Sequence, residues 1–319
     1  MKKAASLPRA AIRPNALRGQ SLWQEVIRAR SWYLFVLPMV VFLILFRYVP
    51  LYFLQIAFRD FRVTRALTDC TFAGFKYFQE VFQSPGFWDA FRNTIIINFY
   101  KLLICFPAPI ILALLMNEIS SNRFKRPIQT VLYLPHFISW IVVANIITNL
   151  LAVNGGVFNN IRGLFGLDSL MFLGQKEYFR GILVLSDLWK EAGWGMIIYL
   201  AALAGIDPEL YDAANVDGAN RFQKLIYITM QEIMPVIIVM LILRMGSFFG
   251  GSFDQIQSLL NAQVMAVGDT LDTYVFRVGI VNNRFSFSTA AGLFNSVISA
   301  LFLFLSDRFA KKLGGQGLF

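Results

Sequence analysis

Histidine and cysteine are nearly absent from this chain of 319 residues: His136 is the one histidine, and Cys70 and Cys105 are the two cysteines. The cysteines form no CxxC pattern, and Cys105 sits inside an apolar run, so neither a metal site nor a disulfide between them is expected. His136 follows a proline near a helix start and lacks an H-E-x-x-H run or cysteine partners, so it reads as structural. No G-x-x-x-x-G-K-[ST] phosphate loop occurs, which argues against ATP hydrolysis by this chain. Charge is scarce too. Only 15% of residues are charged and 57% are hydrophobic, against about 25% charged in soluble domains. The net charge of +10 would suit nucleic acid. The basic residues, however, stand at the edges of apolar blocks, which is the pattern of membrane topology. No nucleic-acid partner is expected.

What is present is long apolar sequence. Residues 1–30 are polar and basic, with Lys2, Lys3, Arg9, Arg13, Arg18, Arg28 and Arg30. They contain no apolar stretch of the kind a signal peptide needs, so they read as a cytoplasmic tail. Residues 31–319 then read as one transmembrane domain. Six apolar blocks, 32–57, 91–116, 128–151, 181–205, 226–249 and 289–305, are each long enough to cross a hydrocarbon core as a helix of about 20 residues. They show no alternation of period two, and helices satisfy their backbone groups in lipid, so the fold is all-α: a polytopic helix bundle. With six spans, both termini share a side. That side carries the basic tail together with Arg123, Lys125, Arg126, Arg221, Lys224, Arg308, Lys311 and Lys312 in short segments. The opposite side spreads Arg59, Arg62, Arg65, Lys76, Arg92, Arg162, Lys176, Arg180, Arg277 and Arg284 over longer loops. Short basic loops belong in the cytoplasm, which places both termini and the loop 206–227 there.

That loop is built to fold. Asp207 suits a helix N-cap, Pro208 the first helical position, and Glu209 the positive dipole end. Leu210, Ala213 and Ala214 fall at i, i+3 and i+4 and make one small apolar face. Asp217-Gly218 supplies a stop, and Asn220 can cap a second helix leading into the fifth span. A small Ala-rich helix fits a groove on a partner. An ordinary well-capped surface loop would read the same way.

The run Asp212-Ala-Ala-Asn-Val-Asp217-Gly218-Ala219 resembles the E-A-A…G loop of ABC importer permeases. Asp212 stands at the family's acidic position, Ala213 and Ala214 match its alanines, and Gly218 its glycine. Downstream, where the family has an isoleucine, a Leu-Pro pair and a second proline, this chain has Ile228, Met230-Gln231 and Pro235. Asp for Glu shortens the reach by one methylene and keeps the charge, while Gln231 removes a bend-inducing proline. The segments Tyr133-Leu-Pro-His-Phe-Ile-Ser-Trp140, Asp272-Thr-Tyr-Val-Phe-Arg-Val-Gly279 and Phe285-Ser-Phe-Ser-Thr-Ala-Ala-Gly-Leu-Phe294 are similar to the carbohydrate branch that serves oligosaccharides and oligouronates, including permeases of alginate import. The resemblance implies the type I importer permease fold in a bacterial inner membrane. It also implies a second related permease, two ATPase subunits that bind the ATP and Mg, and an external solute-binding protein that delivers the sugar. It assigns ATPase coupling to Asp212, Ala213, Ala214, Asp217, Gly218 and Ala219.

Polar groups within spans mark a path or a bundle interior. Asn98, Lys101, Asn149, Trp189, Lys190 and Arg244 are the candidates for a substrate path, with Asn93, Asn145, Asp254 and Asn295 as further polar positions. Asp187, Lys190 and Glu191 lie at i, i+3 and i+4 and are expected to pair among themselves. Lys101 and Arg244 have no partner nearby in sequence. Arg244 can grip a uronate carboxylate through a bidentate bond, or pair with an acid on a second permease. Phe137, Trp140, Trp194 and Tyr199 offer ring faces to a sugar, or serve helix packing and the membrane interface. An ion-coupled secondary transporter is the alternative, with a membrane-embedded enzyme behind it. The first needs central acids and the second clustered His, Asp or Glu, and both are sparse here.

Overall fold

A computed structural model of the chain describes residues 30–312, so almost all of the expected 1–30 tail lies outside the described residues. Among them there is no strand beyond an isolated bridge between Arg59 and Phe72. The described chain divides near Gln55 into two units. In the first, α1 (Arg30–Leu43) runs into a π turn at Ile44–Tyr48 and a short helix at Val49–Tyr52. Pro50 explains the loosened turn: it lacks an N–H, and its ring collides with the carbonyl four residues back. A 3-10 turn at Phe53–Phe58 follows, and the whole apolar stretch runs Trp32–Phe58.

In the second unit, α2 (Lys76–Gln83) precedes α3 (Pro85–Cys105) and α4 (Pro107–Glu118), which together form one long apolar rod. Pro85 and Pro107 sit at first helical positions, where a missing N–H costs nothing. Next come α5 (Asn122–Tyr133), α6 (Trp140–Leu150), α7 (Val157–Leu164) and α8 (Lys176–Ala204). The chain continues through α9 (Pro208–Val216), α10 (Arg221–Lys224), α11 (Met230–Gly246), α12 (Phe253–Leu259), α13 (Leu271–Phe276) and α14 (Phe285–Lys312). A π turn at Leu225–Thr229 joins α10 to α11, and the rod Arg221–Gly246 continues through Gln231.

Among the described residues, four helical stretches are long and apolar enough to cross a membrane: Trp32–Phe58, Pro85–Glu118, Arg221–Gly246 and Phe285–Lys312. Two of the six expected spans look different. The block 128–151 is not one rod: α5 and α6 meet at an angle of 103° across the turn at Leu134–Phe137. Pro135 inside that turn removes a helical donor, and Ser139 then restarts a helix by accepting from the Val142 N–H. The block 181–205 falls inside α8, which is long enough but carries Asp187, Lys190 and Glu191 within its apolar part.

The helix α8 is the hub. Phe179, Leu183, Ser186, Lys190, Gly193 and Met196 recur every three or four residues and form a buried face. Its middle meets α3, α4, α5 and α11. Helices in lipid associate through close packing rather than water exclusion, so small residues mark their seams. Gly193 is the tightest: a Cβ there would stand 2.0 Å from the Leu132 carbonyl oxygen of α5. The buried apolar side chains of the described residues gather in three clusters. One gathers Phe87, Phe249, Leu271 and Phe287, another Ile97, Phe179 and Ile256, and a third Ala113, Met196, Tyr199 and Ile233.

Outside the spans, Asp60 accepts from Tyr77 and from Lys76 at 3.2 Å. The tyrosine hydroxyl first, then the ammonium, hold its carboxyl below the usual range. Ser286 donates to the Arg59 carbonyl at 2.7 Å and accepts from the Phe61 N–H, fixing this loop to the start of α14. Both cysteines are free and buried.

Replacing Gly193 by Ala is expected to push α5 off α8 and cost about 1–3 kcal/mol, the usual scale of overpacking. Gly181 on the same helix has nothing within 4 Å of a built Cβ, so Gly181→Ala should leave stability unchanged or raise it. Thermal unfolding of the two variants in detergent checks the contrast.

Candidate functional site

Two polar assemblies occupy the middle of α8. The first centres on Asp187. Lys101 of α3 has a side chain with no exposed surface, and its Nζ lies 3.2 Å from Asp187 Oδ1. Lys101 also donates to Ser252 Oγ at 2.9 Å and to the Gln255 side-chain carbonyl. Gln255 in turn donates to Ser186 Oγ and to the Leu183 carbonyl, both at 2.7 Å. All three ammonium donors are therefore used. Arg244, in the last turn of α11, reaches the other oxygen, Asp187 Oδ2, through one nitrogen at 3.4 Å. Its side chain is 38% exposed, against 10% for Asp187. The two cations thus share one carboxylate on very different terms.

The second assembly holds the bend between α5 and α6. Lys190 donates to the His136 carbonyl at 2.7 Å and to Glu191 at 3.1 Å, with its ammonium over the Trp140 ring. His136 Nδ1 lies 2.8 Å from Glu191, and its ring stacks parallel on Trp194 at 4.4 Å. His136 is thus a structural residue clamped between an acid and an indole. No group of His, Cys, Asp and Glu suited to a metal ion occurs among the described residues.

The expectations from sequence sort themselves by this geometry. Lys190 and Glu191 pair as neighbours, but Asp187 does not join them: it belongs to Lys101 and Arg244, on helices far away in sequence. Lys101 and Arg244, which lack partners in sequence, find one in the fold. A cavity of about 460 Å³ opens between the assemblies, lined by Trp140, Trp194, Tyr199, Asp187, Glu191 and Arg244. A second pocket of about 40 Å³ shares Asp187 and Arg244 with it and adds Asn98 and Ser252. Asn98 donates to the Thr94 carbonyl at 3.0 Å. Trp189 and Asn149 lie elsewhere. Trp189 lines an apolar cavity of about 540 Å³ with Ile146, Leu150, Phe172 and Leu185, and Asn149 is exposed on α6. Phe137 stands edge-on against Trp194 rather than in the cavity wall. Asn93 accepts from Arg180 at 2.8 Å, Asn295 donates to the Phe249 carbonyl and Asp272, Asn145 donates to the Ile141 carbonyl one turn back in its own helix, and Asp254 is exposed. Gln255 and Ser252 were not legible as partners of Lys101, because they follow the fifth span in a short segment with no apolar pattern of its own.

The loop after α8 folds as its residues dictate. Asp207 accepts from the Glu209 N–H at 3.0 Å and opens α9. At the far end the Gly218 N–H reaches the Asn215 carbonyl at 3.1 Å, and the Ala219 N–H reaches that of Ala214 at 2.9 Å. This paired closure requires a left-handed residue, and Gly218 supplies it with φ +76°. Asn220 and Gln223 then exchange side-chain and backbone bonds at 2.8 and 2.9 Å, a capping box that starts α10. Tyr211 bonds Thr229 at 2.9 Å, and Lys224 donates to Asn215, so the two helices are tied together. Asp212, Ala213, Asp217 and Gly218 are exposed, while Ala214 and Ala219 are half-buried. Val216, 89% exposed, and Phe222, 68% exposed, add apolar side chains that the sequence pattern did not single out.

Residues 106–315 match the model of the family described as binding-protein-dependent transport system inner membrane component. The chain is 39% identical over 316 residues to Protein LplB of Bacillus subtilis (strain 168), covering 98% of this chain and 99% of that protein. It is also 39% identical to the polygalacturonan/rhamnogalacturonan transport system permease protein YteP of the same organism, over 92% of both. A crystal structure of a bacterial alginate ABC transporter, in complex with its alginate pentasaccharide-bound periplasmic protein, contains a chain of the same fold. That match has a TM-score of 0.86 and 36% identity, covering 94% of this chain and 100% of that one. Transport permeases of this kind are not enzymes, and the protein has the fold of a type I importer permease. The two-helix loop, the α8 hub and the alignment over nearly the whole chain lead to one statement: this protein belongs to the family of binding-protein-dependent transport system inner-membrane components.

Proposed function

We propose that the chain is one permease half of an ATP-driven importer of acidic oligosaccharides in a bacterial inner membrane. The observation that carries the substrate class is the charge at the cavity. Lys101 and Arg244 share Asp187, and Lys190 is matched by Glu191, which leaves one positive charge uncompensated. An unbalanced charge at membrane depth is costly and calls for an anion to complete it. Trp140, Trp194 and Tyr199 beside it offer flat faces to sugar rings. Relatives named for alginate and for polygalacturonan, both polyuronates, support the same class.

In this reading α8 is a crossing helix whose charges face inward, the bent α5–α6 pair accounts for another crossing, and both termini with the loop 206–227 are cytoplasmic. The partners are a second related permease, two ATPase subunits and a solute-binding protein on the outer side. ATP chemistry resides in the ATPase subunits. They grip the loop through Asp212, Ala213, Ala214, Asp217, Gly218 and Ala219, with Val216 and Phe222 exposed beside them. Movement of so small a docked element rocks the bundle as a rigid body between inward- and outward-facing states.

Two outcomes are expected. The complex reconstituted in vesicles with its binding protein should take up short oligouronates in an ATP-dependent manner, and absence of such uptake would overturn the reading. Gly218→Val forces a branched side chain into a left-handed position, which costs about 1–2 kcal/mol and distorts the loop. Uptake and substrate-stimulated ATP hydrolysis should then fall at least about tenfold, a loss of that free-energy scale. Unchanged coupling in an assembled Gly218→Val complex would remove the loop from the mechanism.

A further inference from the structure

Arg244 and Lys101 touch the same carboxylate, yet only one of them is held firmly. The ammonium of Lys101 is fully buried and bonded to Asp187, Ser252 and Gln255, so its charge is anchored on three sides. Arg244 makes one contact at 3.4 Å, long beside the roughly 2.7–2.9 Å of a good charge-assisted bond and without the second arm of a bidentate pair. It stands half-exposed on the wall of the 460 Å³ cavity, at the end of a helix beyond which the chain leaves helical geometry near Ser247. Asp187 is the converse: it is nearly buried and retained by Lys101 whether or not Arg244 stays.

We propose that Asp187 is an exchangeable counter-ion: it occupies Arg244 while the cavity is empty and gives it up to a carboxylate of the substrate. This rests on the acidic-oligosaccharide reading and adds its selectivity rule. An incoming uronate offers Arg244 two oxygens in place of one, while Asp187 keeps Lys101 and loses little. A neutral sugar has no group able to take the guanidinium from Asp187, so it meets a closed pair. Asp187 thus sets which sugars engage Arg244, and Ser252 and Gln255 position Lys101 so that Asp187 stays in place when the arginine leaves. Glu191, the other acid in the cavity wall, is already paired with Lys190 and His136 and does not compete for Arg244.

The test compares apparent affinities for trigalacturonate and for the neutral trisaccharide in which each carboxylate is reduced to a hydroxymethyl group. Uptake is measured in vesicles with the whole complex and one binding protein, so the binding protein's own selectivity cancels between variants. The wild-type protein should favour the acid. Arg244→Gln should lower the acid-to-neutral ratio at least about tenfold, Arg244→Lys should retain part of the preference, and Asp187→Asn should raise the ratio by freeing the arginine. A purely structural Asp187 would instead weaken both sugars equally, and that outcome overturns the proposal. So does an unchanged ratio in Arg244→Gln, or a failure of Arg244→Gln and Arg244→Lys alike to co-purify with the second permease, which would make Arg244 an interface residue. If the wild-type complex takes up neither sugar, the oligosaccharide reading itself falls. Uptake of both with equal affinity overturns only the exchange.

Discussion

Placing a lysine with no exposed surface inside a helix bundle is tolerable only when its charge is met and its three donors are filled. In this protein that requirement organises the centre of the fold. Meeting it draws Asp187 from α8, Gln255 from α12 and Ser252 from the chain before α12 onto one point of α3. Gln255 cannot serve Lys101 unless its amide is held, and Ser186 with the Leu183 carbonyl hold it. Removing one partner from such a buried pair typically costs about 3–5 kcal/mol, because a charge is left unmet. The network therefore fixes where α3, α8 and α12 stand relative to one another, and Arg244 is added to a site that is already rigid.

The seam between α8 and α5 follows a different physics. Gly193 lets the Leu132 backbone approach as no side chain would, and the Lys190–Glu191–His136–Trp194 assembly closes the same junction with charge and stacking. The bend in the chain at Pro135 is thus held from both ends: by a proline that forbids the continuous helix, and by α8 residues that bond to the broken turn.

How much of this is legible in the sequence depends on distance along the chain. The caps of α9 and α10 were readable because Asp207, Gly218 and Asn220 act on backbone groups within five residues of themselves. The all-helical class was readable because the apolar blocks have helical length and no alternation. The partners of Lys101 were not, since Asp187 lies 86 residues away and Gln255 lies 154. For the same reason the i, i+3, i+4 pattern on α8 pointed Asp187 toward Lys190, when tertiary contacts had claimed it already. The block 128–151 was readable as apolar, but hydropathy does not register the angle that a single proline and a capping serine create. The block 181–205 was readable as a helix of spanning length, but its place at the centre of the packing was not, because that rests on contacts with helices distant in sequence.

The distance between Asp187 and the end of α8 has a mechanical consequence. Seventeen residues of helix separate it from Ala204, about 25 Å at 1.5 Å per residue. The chain then re-enters helix at Pro208 through the Asp207 cap, with only three residues between the two helices. A stiff rod of that length magnifies angle into displacement: a tilt of about 5° about its Ala204 end carries Asp187 through about 2 Å. That is enough to open the single contact to Arg244, while Lys101, gripped from three sides, must be dragged along or hold the rod in place. Any tilt imposed at the loop end of this helix would therefore be amplified at the shared carboxylate.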